Sequence, residues 1–219
     1  MKLELVIANK NYSSWSMRPW VLLRQAGIPF EEIQFKFNDD GHLPEGIKRY
    51  SPTGQVPVLL VDGDPVWDSL AICETVAELF PEKNLWPRDA RARRLARSAS
   101  AEMHAGFRAL RGGLSMNIRA SHPGKGMNPE VQKDVDRIVA IWQNCRARFG
   151  GGGSMLFGDF GVADAMFAPV ATRFATYAVA LPSAAQAYAD AVLGLAGVRE
   201  WTDAARRETE FVRADEPYA

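Results

Sequence analysis

Hydrophobic and polar positions change their period once along this chain. As far as Phe80, short apolar runs alternate with polar breaks. Leu3-Glu4-Leu5-Val6-Ile7-Ala8 reads as a buried strand, and Asn9 to Ser16 as a polar turn. Pro19 suits the first turn of a helix, where its missing N–H leaves nothing unpaired. Trp20, Val21, Leu22, Leu23 and Ala26 carry that helix, and Gly27 is a natural stop. Phe30 to Phe37 alternates as a second strand, and Val58 to Val61 forms a third. Asp62-Gly63-Asp64 turns the chain into Val66-Trp67. Ser69 is predicted to cap a helix reaching Phe80, with Leu70, Cys73, Val76, Ala77 and Phe80 on one side. The order is β-α-β, a variable stretch, then β-β-α.

Pro81 to Pro87 breaks this pattern and reads as a linker. Beyond it the strand period disappears. Arg91–Leu114, Glu130–Phe149, Val162–Val179, Ala184–Leu195 and Val198–Arg207 all show helical spacing. Residues 1–81 are therefore expected to form an α/β domain and residues 88–219 an all-α one.

Composition narrows the function classes. The chain has 219 residues, 47% of them apolar, with 26 basic and 26 acidic side chains. Zero net charge argues against nucleic-acid or membrane-surface partners. The basic run Arg88, Arg91, Arg93, Arg94, Arg97 reads as a solvated helix face. The two cysteines, Cys73 and Cys145, are too far apart for a zinc cluster, and no metal is expected. No signal peptide or membrane span is visible, so a cytoplasmic protein is the default expectation.

Three segments carry candidate chemistry, each with a plainer alternative. Asn11-Tyr12-Ser13-Ser14-Trp15-Ser16-Met17-Arg18-Pro19 joins the first strand to the first helix, where open sheets bind ligands and helix N–H groups favour anions; alternatively its serines simply cap the helix. In Gln55-Val56-Pro57-Val58-Leu59, a cis proline turns the Val56 backbone outward, whereas a trans proline merely opens a strand. Asp68-Ser69 suits the ammonium and carboxylate of an α-amino acid, or serves as an ordinary helix cap.

Together, in this order, these segments resemble the glutathione transferase superfamily along essentially the whole chain, with zeta- and tau-like bacterial serine-type members the nearest in pattern. The segments concerned are Ser-Ser-Trp-Ser-Met-Arg, Gln-Val-Pro-Val-Leu and Asp-Ser-Leu-Ala-Ile, followed by Gly158-Asp159-Phe160-Gly161-Val162-Ala163-Asp164. In the last, Gly161 stands where the family usually has Ser or Thr, a change expected to weaken one helix cap. The resemblance implies a thioredoxin-like N-terminal domain plus an all-α C-terminal domain, a cis Val56–Pro57 bond and a homodimer. It implies that Ser13, or its neighbour Ser14, activates the glutathione thiol. It also implies that Val56, before Pro57, pairs with the cysteinyl backbone, and that Asp68 and Ser69 hold the γ-glutamyl end. Gln55 is placed beside the glycyl end, with His42 and Lys48 as further candidates there. Met103, His104, Phe107, Met116 and Phe167 are expected around the electrophile pocket, His104 alternatively as a packed core residue. Tyr12 is a competing thiol activator. No cysteine occupies the Ser13–Ser16 slot, which argues against a disulfide oxidoreductase.

The implied activity is glutathione transfer to small hydrophobic electrophiles, a detoxification chemistry. One alternative is glutathione-dependent cis–trans isomerisation of a maleyl-type acid, with Arg18, Arg108 and Arg111 as sources of the cationic groups it needs. A second is a non-catalytic carrier of apolar ligands. Thiol peroxidase activity is a further option for the same thiolate.

Overall fold

β1 (Leu3–Ile7) lies inside a four-stranded sheet ordered β2-β1-β3-β4. The computed structural model describes all 219 residues, Met1–Ala219. β2 (Glu31–Gln34) runs parallel to β1; β3 (Val58–Val61) is antiparallel to β1 and β4 (Asp64–Val66) to β3. Alternation along β1 divides two apolar layers. Leu3, Leu5 and Ile7 face the main core with Leu59, whereas Val6 joins Val58, Leu60 and Ile47 on the other face.

α1 (Ser14–Gln25) begins one turn earlier than the position of Pro19 suggested, so the proline sits inside the helix. Ser14, Ser16 and Arg18 are accommodated there because their side chains serve the loop and the neighbouring domain, while Met17 joins the main core. Gly27 adopts φ +66 and lets Ile28 N–H reach Leu23 O at 3.0 Å, which closes the helix. α2 (Ser69–Leu79) is capped by the Asp68 side chain, which accepts from Leu70 N–H, not by Ser69.

After β4 come only helices and two isolated bridges. The predicted helix over 91–114 is two, α3 (Ala90–Ala105) and α4 (Arg108–Gly113), because Phe107 takes φ +61 between them. α5 (Pro129–Phe149), α6 (Val162–Tyr177), α7 (Ser183–Leu193) and α8 (Ala196–Arg207) complete the set. α6 is buried along almost its whole length, and α1 packs against both α6 and α8. The fold class inferred from sequence is thus present, a mixed sheet with helices followed by a helical remainder. No helix is long and apolar enough to cross a membrane.

Gly161 gives α6 no side-chain cap, as expected, and the space beside it excludes one. A Cβ there would stand 2.6 Å from the Leu85 carbonyl oxygen, and that same carbonyl accepts from Val162 N–H at 2.9 Å. The linker backbone occupies the space a serine needs. Gly161→Ser, nominally the better cap, is expected to lower stability by roughly 1–3 kcal/mol through overpacking. In thermal unfolding the midpoint falls by about 2–10 °C; an unchanged or higher midpoint contradicts the close approach.

Candidate functional site

The loop between β1 and α1 is pinned from several directions. Asn9 O accepts from Tyr12 N–H at 3.2 Å and Ser13 N–H at 2.8 Å, forming the turn. The Glu208 carboxylate accepts from Lys10 N–H and Asn11 N–H, both at 2.9 Å, and Asn11 Nδ2 donates to Asn117 Oδ1 at 2.8 Å. A polar loop held this way carries little freedom of its own, so Ser13 and Ser14 reach fixed positions at the head of α1.

Both serines are 6% exposed. Ser13 Oγ donates to Ser16 Oγ at 2.8 Å, and Ser16 Oγ also accepts from Ala8 N–H at 3.2 Å. Ser14 Oγ accepts from Arg173 Nη2 at 3.4 Å, which leaves its own proton free. The N–H groups of Trp15 and Ser16 have no acceptor within the chain. Two hydroxyls and two unpaired helix-start donors together favour a negative charge.

Ser13 and Ser14 line a cavity of about 230 Å³, with Tyr12, Arg111, Arg173 and Asp215 around it. A second cavity of about 180 Å³ is bounded by Pro57, Asp68, Ser69 and His104. Trp15, Gln55 and Val56 belong to both, so the two form one cleft with a shared wall. Val56 precedes a cis proline, and neither its N–H nor its C=O has a partner in the chain. At the far end Ser69 Oγ is buried and unpartnered at the start of α2, and Ser69 N–H is likewise unpaired. Unpaired buried groups are uncommon in folded chains, and here they mark out a line from one helix start to the other.

Electrostatics set the two compartments apart. Arg18 and Arg111 place their guanidinium carbons 4.3 and 4.4 Å from the Trp15 ring. Arg173 is held by Leu114 O at 2.7 Å. Arg18 Nη2, Arg111 Nη1 and Arg173 Nη1 are all buried without a hydrogen-bond partner. Burial, then the charge of Arg111, pulls Arg173 down to about 10, and burial pulls Arg18 and Arg111 below the ordinary arginine range. The cavity lined by Ser13 and Ser14 is therefore cationic, with donors that lack partners. The other compartment carries the opposite sign, with Asp68 Oδ2 2.9 Å from His104 Nε2.

Several expectations need correction. Met103 and Phe107 are buried in the main core and line neither cavity. Phe167 is likewise core, whereas Met116 does line the cavity of Ser13 and Ser14. His104 stands in the Asp68 compartment, edge-on to Trp15 at 5.3 Å, not on the electrophile side. His42 and Lys48 line neither cavity, and Lys48 pairs with Glu45. Of the suggested arginines, Arg111 lines the cavity; Arg18 is fully buried and Arg108 is exposed. Tyr12 OH is engaged by Glu216 Oε1 at 2.7 Å and by Arg119 Nη2 at 2.8 Å. Sequence reasoning missed Arg173 and Asp215. Arg173 had a signal: it is the one basic residue in the mostly apolar helix Val162–Tyr177.

A larger cavity, about 480 Å³, lies between the linker and the start of α6, and none of the predicted site residues lines it. No group of three or more His, Cys, Asp or Glu side chains is arranged to hold a metal ion.

Residues 12–79 match the family model described as glutathione S-transferase, N-terminal domain. The chain is 26% identical over 162 residues to glutathione S-transferase omega-1 of Rattus norvegicus, covering 72% of this chain and 64% of that protein. It is 33% identical over 100 residues to maleylacetoacetate isomerase of the same organism, covering 45% and 46%. The chain thus spans less than two thirds of either relative. Its fold superposes with a TM-score of 0.72 on a glutathione transferase homologue from Burkholderia with bound glutathione, at 20% identity, covering 95% of this chain and 100% of that one.

Proposed function

We propose that this chain, a member of the glutathione transferase superfamily, binds glutathione along the cleft and ionises its thiol for attack on a small electrophile. One observation carries the reading: two serines at the unpaired start of α1 line the same cleft as the unpaired Val56 backbone. In this arrangement the Val56 N–H and C=O pair with the cysteinyl unit. Ser69 Oγ and N–H receive the γ-glutamyl carboxylate, and Asp68, steadied by His104, faces the ammonium group. Gln55 borders the tripeptide. Each assignment gives a partner to a group that lacks one, or a counter-charge to one that is exposed.

A free thiol ionises near ~8.5, so only about 3% is thiolate at neutral pH. Lowering that by ~2 units takes about 2.7 kcal/mol of preferential stabilisation. Ser13 supplies it by turning its hydroxyl from Ser16 to the sulfur. That exchanges a neutral hydrogen bond of about 1 kcal/mol for a charge-assisted one of about 1.5–3 kcal/mol. The free proton of Ser14 and the start of α1 add the remainder. Ser13 acts as neither base nor nucleophile in this scheme. Calorimetric titration with glutathione, followed by conjugation to a nitro-activated aryl chloride, tests the reading; no glutathione binding overturns it.

Arg111 and Arg173 favour a second reading, the isomerisation of a maleyl-type acid, because they offer unpartnered donors to a carboxylate in the same cavity. Arg173→Met is expected to raise the KM for an acidic electrophile by about 10- to 100-fold, the effect of one charge-assisted contact. The KM for glutathione moves far less. Equal losses for both substrates remove the arginine from this role. A homodimer in the cytoplasm with a detoxifying task fits the family pattern and completes the reading.

A further inference from the structure

The segment after α8 crosses back over the N-terminal domain and reaches the mouth of the thiol-side cavity. It is fastened along its length. Glu208 caps the β1–α1 loop and pairs with Lys36 Nζ at 2.9 Å. Arg119 donates to the carbonyls of Glu208 and Glu210, and Tyr12 OH donates to Glu216 Oε1. Asp215 N–H reaches Val212 O, and Asp215 O accepts from Ser115 Oγ, both at 2.9 Å. None of these contacts uses the Asp215 carboxyl. That group is half-buried, without a hydrogen bond or ion-pair partner, and lines the same cavity as Arg111, Arg173, Ser13 and Ser14.

A carboxyl delivered by a tied-down strap into a cavity whose cations lack partners has one evident consequence. It offsets part of the field those cations offer to an incoming anion, without occupying their donors. We propose that Asp215 is a specificity-determining residue: it sets how much negative charge an electrophile carries into this cavity, disfavouring multiply anionic acceptors. The inference rests on the reading of this cavity as the electrophile site. Arg111 and Arg173 supply two positive charges and Asp215 offsets one, so the cavity is matched to an acceptor bearing at most one carboxylate beside the thiolate. The two serines and the start of α1 serve the sulfur, so they do not compete for that charge.

Protonation acts in the same direction as neutralising the residue. Burial raises the Asp215 carboxyl to about 6, with Arg173 opposing and Glu216 reinforcing the shift. The other titratable groups facing this region are Arg111, Tyr12 and Tyr177. The two tyrosines sit above the ordinary phenol range and stay neutral near pH 6. As pH falls through about 6, Asp215 loses its charge and acidic acceptors bind better.

The test compares a neutral nitro-activated aryl chloride with its ring-carboxylated counterpart. In Asp215→Asn the carboxylate-to-neutral preference in kcat/KM rises by about fivefold to tenfold, the scale of one screened like-charge contact. Asp215→Glu returns it toward the wild-type value. The wild-type preference increases as pH falls through 6, and the variant's does not. Calorimetry with the carboxylated ring lacking the chloride reads the same shift without turnover. Failure of conjugation in every form therefore overturns the functional reading alone. An unchanged preference and unchanged anion affinity in Asp215→Asn overturn the role of Asp215.

Discussion

Ser13→Ala is expected to lower the turnover of glutathione conjugation by about 10- to 20-fold while the affinity for glutathione changes little. The magnitude follows from the pKa argument, since a shift of ~2 units raises the thiolate from about 3% to about three quarters at neutral pH, about 25-fold in all, and the Ser13 hydroxyl supplies the largest share of that shift. Binding survives because most of the tripeptide's contacts lie elsewhere, at Val56, Asp68 and Ser69 in the proposed arrangement. Ser14→Ala is expected to cost about threefold or less, because its hydroxyl supplements a sulfur already held by Ser13 and because Arg173 remains beside it. Raising the pH distinguishes this from a misfolded site. A variant that has lost only thiol activation recovers rate as pH climbs toward ~8.5, where the free thiol ionises unaided. A Ser13→Ala variant with full activity at neutral pH removes the hydroxyl from the mechanism.

The second large effect concerns stability. Asp164, 1% exposed at the start of α6, accepts from Leu156 N–H, Gly161 N–H and Tyr188 OH, each at 3.0 Å. Asp164→Ala leaves two backbone N–H groups and a phenol hydroxyl without acceptors in the interior. Each unpaired buried group costs about 1–3 kcal/mol, so a total on the order of 4 kcal/mol and a midpoint lower by about 10 °C are expected. The pH dependence has a definite sign. Burial raises the folded-state pKa of Asp164 to about 6 from an ordinary 3.8, so the folded protein binds the extra proton first. Relative to the alanine variant, the wild type gains stability as pH falls through 6 toward the unfolded value and loses that increment as pH rises back through 6. An alanine variant melting within a degree or two of wild type contradicts this account of the α6 start.

Much of the fold was legible because burial enforces period. Leu3-Glu4-Leu5-Val6-Ile7 could be read as a strand since its alternate residues feed two apolar layers, and the change at Pro81 marked where sheet gives way to helices. The head of α1 was less legible. Its first turn mixes serines with Trp15 and Met17 and shows no clear period, and it is held by contacts with residues far along the chain, such as Arg18 Nε to Met166 O at 3.1 Å. The break at Phe107 was hidden for a similar reason: nothing in the spacing of Arg91–Leu114 marks a left-handed residue. The part of the cleft proposed to take glutathione lies in three local segments, each beginning or ending an element, and so could be read from sequence. The cationic part is assembled from Arg111 and Arg173, with Asp215, on separate elements, and no local pattern brings those three together. Gly161 shows the limit from the other side, because its reason for being glycine is a carbonyl 76 positions earlier.

The most direct test of the central claim is the ionisation of bound glutathione. The ultraviolet band of the thiolate, followed against pH in the binary complex, gives the pKa of the sulfur in the cleft. The account predicts half-ionisation near pH ~6.5 in the wild-type protein and a return toward ~8.5 in Ser13→Ala. A bound sulfur that titrates near its free value in the wild type, or identically in both proteins, contradicts it.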